Sequence, residues 1–474
     1  MAFNERVLQE AQDKSVPLMQ RLRFLGIFSN NQDEFIKVRV ANIVRLSQIK
    51  GRKAPLFSGG YTSQELLPLI NSRVNESQIK FMQTYDEVLS EMESHGVYVI
   101  NEKELNRKQK QFCREYFSSV VSPRLVPLIL RKTTRIPFLR DNSSCPRFVV
   151  LPPSLKDRSE IIFLDDIIRL CLDEIFFMFN YKQISAYTFK LMRDALLTLD
   201  DDISKSLVEK MEDGLQNPLH GQPVRLIYDR EMPTDLLDII ASKLSLRGSE
   251  GLDAGGRYHL MRDLMKFPKV RPDLESVNPE PLQHPDIKPS SSLFKVINKK
   301  DILLNYPYHT FNHFIDFLRE AAIDPKVESI FITLYRAAEQ SKVVNALINA
   351  AKNGKKVVVL LELLARFDEE QNIEYSETLQ KEGVKVIHGA SGLKVHSKIV
   401  LVGRKDKDYV YVGTGNFNEI TTQIYGDFGL LTSDYQIAAD AKTVFDFLLN
   451  THKHFACKQL LVAPYYMRKQ FETL

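Results

Sequence analysis

GLKVHSKIVLVGRKDKDYVYVGTGNFN, residues Gly392 to Asn418, is the one stretch in which a nucleophile, a cation and a phosphate-sized glycine turn fall together. His396 and Lys398 lie two residues apart in the apolar alternating run Val395 to Val402. A strand over that run sends both side chains from one face, an imidazole beside an ammonium. The next run, Asp408 to Val412, reads as a neighbouring strand and empties into Gly413, Thr414, Gly415 and Asn416. Glycines there let backbone amides approach an anion closely, so the pair of strands suits phosphate chemistry.

Outward from this stretch the pattern is regular α/β. A helix over Phe311 to Ala322 leads to a strand over Ser329 to Tyr335. A helix capped by Ser341 and stopped by Gly354 leads to a strand over Lys356 to Leu361. A third helix, about Glu370 to Glu382, stops at Gly383 and leads to a strand over Val384 to His388. Such alternation predicts a mainly parallel or mixed sheet with helices on its faces, and ligands beyond the carboxyl ends of its strands. Arg336 and Arg366 each follow one of these strands, where a guanidinium makes a natural phosphate fork. His388 lacks cationic neighbours and reads as a packed, hydrogen-bonded sheet histidine.

Upstream, residues 1–92 read as helical, with Leu18, Leu22 and Leu25 on one stripe and Ile70, Val74, Ile79, Met82, Val88 and Met92 on another. Inside this block Phe28 to Phe35, FSNNQDEF, reads as a helix N-cap with Asp33 and Glu34 at the positive end. Residues 93–288 mix short strands (Val97 to Ile100, Phe148 to Leu151, Val224 to Tyr228) with amphipathic helices such as Ile161 to Phe179. Gly255, Gly256, Arg257, Tyr258 and His259 read as a structural turn, and proline-studded Pro268 to Pro289 as a linker into residues 289–474.

At 474 residues the chain is too long for one ordinary core. The expected class is multidomain α+β and α/β: a helical N-terminal bundle, a mixed middle domain and an α/β C-terminal domain. Net charge is only +4 on 64 basic and 60 acidic side chains, so no general polyanion surface is declared and any basic site is local. Cys113, Cys145, Cys171 and Cys457 have no CxxC spacing, which argues against structural zinc and a disulfide framework and fits a reducing cytoplasm. No apolar run approaches the length of a membrane span, and MAFNERVLQEAQDKS carries no signal-peptide core.

An HxK followed by a glycine turn resembles half of a phospholipase D superfamily active site, in which a histidine attacks phosphorus. That superfamily usually places an aspartate five residues after the lysine. Here that residue is Gly403, so the residue that orients the imidazole is expected to come from elsewhere; Asp406 and Asp408 are merely near in sequence. The wider text resembles the first-type polyphosphate kinases of bacteria. The motifs are FNERVLQEAQDKSVPLMQRLRFLGIFSNNQDEFIKVRVA, GGRYHLMRDLMKFP, LLNYPYHTF, ITLYRAA, LLARFDEEQNI, GLKVHSK and GTGNFNEITTQIYGDFGLLT. They run from residue 3 to residue 432.

The resemblance implies reversible transfer of the ATP terminal phosphate to inorganic polyphosphate through a phosphohistidine. His396 matches the nucleophile, beside Lys398 as a phosphate-stabilising cation; Asn31 and Tyr425 match residues that contact ATP, and Arg336 and Arg366 a pair assigned to magnesium. A guanidinium cannot ligate a cation, so these arginines are expected to hold phosphate oxygens that Mg2+ bridges. Expected partners are ATP, ADP and polyphosphate in a homo-oligomer, with no nucleic acid. Members of the family continue into a further α/β domain that completes the site, so the chain is expected to hold the first half-site and to turn over little alone. The middle segment between Leu130 and Arg147 is also shorter than the family's. The alternatives are a non-catalytic phosphate- or nucleotide-binding subunit and a phosphodiesterase of the phospholipase D type.

Overall fold

A computed structural model describes the chain apart from residues 48–55, 58, 131–146, 195–222, 245, 247–250, 278, 290, 364, 366–368, 391–392, 452–455, 465–466 and 474. The described residues fall into two compact units, 1–194 with 223–277, and 279–473.

The first unit begins with helices α1 (Ala2–Gln12), α2 (Leu18–Phe35), α3 (Ala41–Ser47) and α4 (Ser63–Ser94). Most of the expected stripe residues are core: Leu18, Leu22, Leu25 and Phe28 of α2 pack with Phe81, Val88 and Met92 of α4, and Ile70 and Val74 join a second cluster, whereas Ile79 is exposed. Thr62 and Glu65 form a reciprocal capping box that starts α4. FSNNQDEF is not an N-cap. It forms the last two turns of α2, because Asp33 is buried and paired with Lys190 rather than exposed at a helix start.

Strands β1 (Val97–Ile100), β2 (Phe148–Val150) and β3 (Ser159–Phe163) form a sheet in the order β1-β3-β2. The helix expected from Ile161 is corrected here. Ile161 and Ile162 are fully buried in β3, paired in parallel with β1, and helix begins only at α5 (Leu164–Leu170). A short apolar run fits either period, and pairing decides it. Strands β4 (Phe189–Arg193), β5 (Pro223–Asp229) and β6 (Leu252–Gly255) make a second three-stranded sheet. Part of the expected linker belongs to this unit, since Val270 and Leu274 pack on its core.

The second unit is built on seven strands, β7 (Ile302–Tyr306), β8 (Val327–Leu334), β9 (Lys356–Leu361), β10 (Lys385–His388), β11 (Lys398–Arg404), β12 (Tyr409–Gly413) and β13 (Asp427–Thr432). Their order is β10-β9-β8-β11-β12-β13-β7, with β8, β9 and β10 parallel and the rest antiparallel. Helices α6 (Lys342–Lys352) and α7 (Glu369–Lys381) make the two parallel crossovers. They end where Gly354 and Gly383 adopt φ of 77° and 84°, which a side chain resists.

Alternation along β11 divides the core. Val400 and Val402 face the cluster under α6 and α7, whereas Ile399 and Leu401 face α8 (Tyr435–Leu449) through Ala438, Ala441 and Phe445. No helix among the described residues is long and apolar enough to cross a membrane.

Candidate active site

Because β11 runs antiparallel to β8, its first residues meet the carboxyl ends of β8 and β9. The end of β12 and the start of β13 arrive at the same edge. Tyr335, Arg336, Glu362, His396, Lys398, the 413–416 turn and Asp427 are therefore assembled by topology at one place.

The expected strand start at Val395 is corrected to Lys398, and side chains replace the missing ladder. The Val395 amide donates to Glu362 Oε2 at 2.8 Å, Thr333 Oγ1 donates to Ser397 O at 2.7 Å, and the Ile399 amide donates to Thr333 Oγ1 at 3.2 Å. Glu362 and Thr333 are both buried. His396 thus sits on a stiffly held bend with its ring edge-on to Tyr335, centroids 4.9 Å apart.

The imidazole and ammonium meet as expected, though not across a strand face. Lys398 Nζ lies 3.0 Å from His396 Nδ1 and also bonds the His396 carbonyl. Burial depresses the His396 pKa, and the cations Lys398, Lys394 and Arg336 depress it further, so the ring is neutral near pH 7. Burial brings Lys398 down to about 8, with Arg336 acting in the same direction and Asp427 opposing.

Sequence reading missed Asp427. Its carboxylate accepts from Thr414 Oγ1 at 2.7 Å, and a Cβ added to Gly415 would stand 2.4 Å from Asp427 Oδ2. Gly415 is small so that this carboxylate can approach. The four-amide cradle expected of Gly413 to Asn416 is reduced accordingly: the Thr414 amide is spent on Phe428 O at 2.9 Å. Asn416 Oδ1 is buried without a hydrogen-bond partner among the described residues. Asp406, near His396 in the sequence, is paired with Arg404.

A cavity of about 270 Å³ opens here, lined by His396, Lys398, Gly415, Asn416, Tyr425 and Asp427 among others. Tyr425 is exposed on its wall. Arg336 lies close enough to act on both His396 and Lys398, while Arg366 lies outside the described residues. His388 has the structural role expected of it, its Nε2 2.6 Å from Ser376 Oγ.

Asn31 belongs to the first unit. There its amide donates to Asn4 Oδ1 at 3.1 Å beside a cavity of about 170 Å³. A larger cavity in the same unit, about 960 Å³, is lined by the GGRYH turn, by Lys190 and Asp33, and by Arg225 paired with Asp253. The only sequence signal for it was the cluster Arg257, Tyr258 and His259. Six basic side chains (Lys103, Arg169, Lys190, Arg225, Arg230 and Arg257) and five acidic ones (Asp33, Asp86, Asp229, Glu231 and Asp253) line it.

The polyphosphate kinase N-terminal domain matches residues 1–100, the polyphosphate kinase middle domain residues 142–267, and the polyphosphate kinase C-terminal domain 1 residues 292–454. The chain is 41% identical to the polyphosphate kinase of Vibrio parahaemolyticus over 505 aligned residues, covering 100% of this chain and 72% of that protein. It is 39% identical to the Escherichia coli K12 polyphosphate kinase, over 99% of this chain and 72% of the relative. The crystal structure of polyphosphate kinase from Porphyromonas gingivalis superposes with a TM-score of 0.76 at 31% identity, over 99% of this chain and 72% of that one.

Proposed function

The chain belongs to the polyphosphate kinase family, and from that premise we propose that it transfers the terminal phosphate of ATP reversibly to inorganic polyphosphate through His396. The observation that carries the proposal is a neutral imidazole 3.0 Å from a depressed lysine at the mouth of a cavity.

In the resting chain the Lys398 ammonium donates to Nδ1, which leaves the ring proton on Nε2. An arriving phosphate competes for Nζ. Nδ1 is then free to hold the ring proton, and Nε2 becomes the nucleophile. Attack forms the N–P bond as the bond from the terminal phosphorus to its bridging oxygen breaks, and ADP leaves with that oxygen's electron pair. A terminal oxygen of polyphosphate then attacks the phosphohistidine and regenerates His396. One difficult displacement becomes two easier ones.

Charge on the transferring oxygens is met by Lys398 and Arg336, with Arg366 assigned the same role from its place in the sequence. Gly413, Gly415 and Asn416 border the phosphates and Tyr425 contacts the nucleotide; the resemblance alone assigns Asn31, in the first unit, to ATP. The cations Lys398, Lys394 and Arg336 act on His396, with the carboxylates of Asp427 and Glu362 nearby. Among the described residues no group of His, Cys, Asp and Glu is arranged to hold a metal ion. The cations of this set would hold phosphate oxygens, and Mg2+ would supply further charge on those oxygens when bound with the nucleotide. The three matched spans support a division into domains 1–92, 93–288 and 289–474, and the free thiols Cys113, Cys171 and Cys457 support a cytoplasmic setting.

Incubation with γ-labelled ATP should place an acid-labile, base-stable label on His396 and lengthen added polyphosphate. His396→Ala should lose the label and keep nucleotide binding. Wild-type protein that binds ATP yet never acquires the label would sink the proposal.

A further inference from the structure

We propose that Glu419 is a positioning residue for phosphoryl transfer, fastening the loop that carries Asn416 and Tyr425 to the segment that carries Arg336; this rests on the reading of His396 given above. Glu419 Oε1 accepts from Ser341 Oγ at 3.0 Å and from the amides of Lys342 at 2.6 Å and Val343 at 3.2 Å. These donors form the N-terminus of α6, immediately after the 335–340 segment in which Arg336 lies.

Both ends of the tether are themselves anchored. On one side Phe417 is buried and stacks on Phe314 with centroids 4.7 Å apart, and Asn418 Oδ1 accepts from the amides of Ile420 and Thr421 at 3.0 Å each. Glu419 stands between these anchors and has little freedom of its own. On the other side Tyr375 Oη accepts from the Ser341 amide at 3.3 Å and donates to Ala338 O, and Gln340 holds a left-handed φ of 59°. The segment that holds Arg336 is thus a preset shape, and the carboxylate sets where the opposite wall stands against it.

A helix cap alone does not explain the contact. Ser341 already caps α6, its Oγ accepting from Val343 and Val344, so the helix has a side-chain acceptor of its own. Glu419 supplies in addition a bond between two loops 76 or more residues apart in sequence. Those loops carry the Arg336 and Tyr425 sides of the site, so loosening one against the other weakens the hold on ATP more than the chemistry at His396.

The test uses the full chain and the rate of His396 labelling against ATP concentration. E419A should raise the ATP concentration for half-maximal labelling about tenfold while the saturated rate stays within about threefold. E419Q, which keeps an acceptor oxygen at the same reach, should restore the wild-type ATP dependence, and E419D should fall between. Hydrogen exchange supplies a readout independent of chemistry: E419A should speed exchange at Lys342 and Val343 together with residues 414–425, and E419Q should not. Unchanged ATP dependence in E419A, or an E419Q as defective as E419A, would overturn the tether. If wild-type protein takes no label, the phosphoryl-transfer reading fails by itself, and the tether stands or falls on whether the two segments loosen together.

Discussion

Lys398 is a buried cation whose proton the fold resists, and this makes its charge visible in stability. Burial brings it from the ordinary 10.5 to about 8, so between these two pH values the unfolded chain binds the proton and the folded chain does not. Stability contributed by this group therefore rises as pH climbs from 8 to 10.5, and the penalty for holding the ammonium is fully present below 8. The depression corresponds to about 3 kcal/mol, which screening by solvent in the cavity that Lys398 lines reduces to about 1.5 kcal/mol. In Lys398→Met every other titrating group is retained, so the difference between the two proteins isolates this one. Urea unfolding at pH 7, 8, 9 and 10 should show wild type gaining about 1.5 kcal/mol on the variant across the alkaline range. The same variant should label His396 roughly a hundredfold to a thousandfold more slowly, having lost a cation aimed at the transferring phosphate. A stability difference that stays flat from pH 7 to 10, or one that shifts in the variant's favour, would refute the reasoning.

Asp427→Asn removes the carboxylate that helps hold the Lys398 proton on, so the alkaline limb of the His396 labelling profile should move to lower pH; an unmoved limb places the influence elsewhere. Gly415→Ala drives a methyl into the Asp427 carboxylate at 2.4 Å, and labelling should fall at least tenfold with a stability loss of about 1–2 kcal/mol in urea unfolding. Lys190→Met leaves Asp33 buried without its partner, and the first unit should lose roughly 3–5 kcal/mol, most of it recovered by Lys190→Met with Asp33→Leu. Equal losses in the single and double variants would mean that packing, and not the unpaired charge, sets the cost.

Legibility in the sequence followed how local each determinant is. The Lys356–Leu361 strand, the Ser341 cap and the Gly354 stop appear where the text puts them, because each depends on neighbours within one or two turns. Asp33 misled for the opposite reason: its setting resembles a helix start, and its partner lies 157 residues away. Ile161 to Phe163 belongs to a strand because β1 offers a parallel partner, which no local period reports. Within the site, the meeting of His396 and Lys398 was legible from their spacing. The bend that holds them was not, since Glu362 and Thr333 come from β9 and β8 ends far along the chain.

Asp427 completes the account of the position where the sequence departs from the pattern it resembles. Gly403 lies five residues beyond Lys398 along β11, about 17 Å at the rise of an extended strand. There it faces Ser329, whose Oγ a Cβ would meet at 2.5 Å. A carboxylate at 403 would therefore crowd β8 at the far end of the strand and could not touch His396. The acid that acts on the imidazole and ammonium pair has to come from a neighbouring strand. The register that sets Gly413 opposite Gly429 carries the start of β13 past the 413–416 turn and delivers Asp427 there. Its reach is through Lys398 and not directly to the ring, because Nδ1 is already occupied by Nζ. The charge state of the lysine, and through it the tautomer of the histidine, is thus set by a residue whose place only the antiparallel pairing of β12 and β13 reveals.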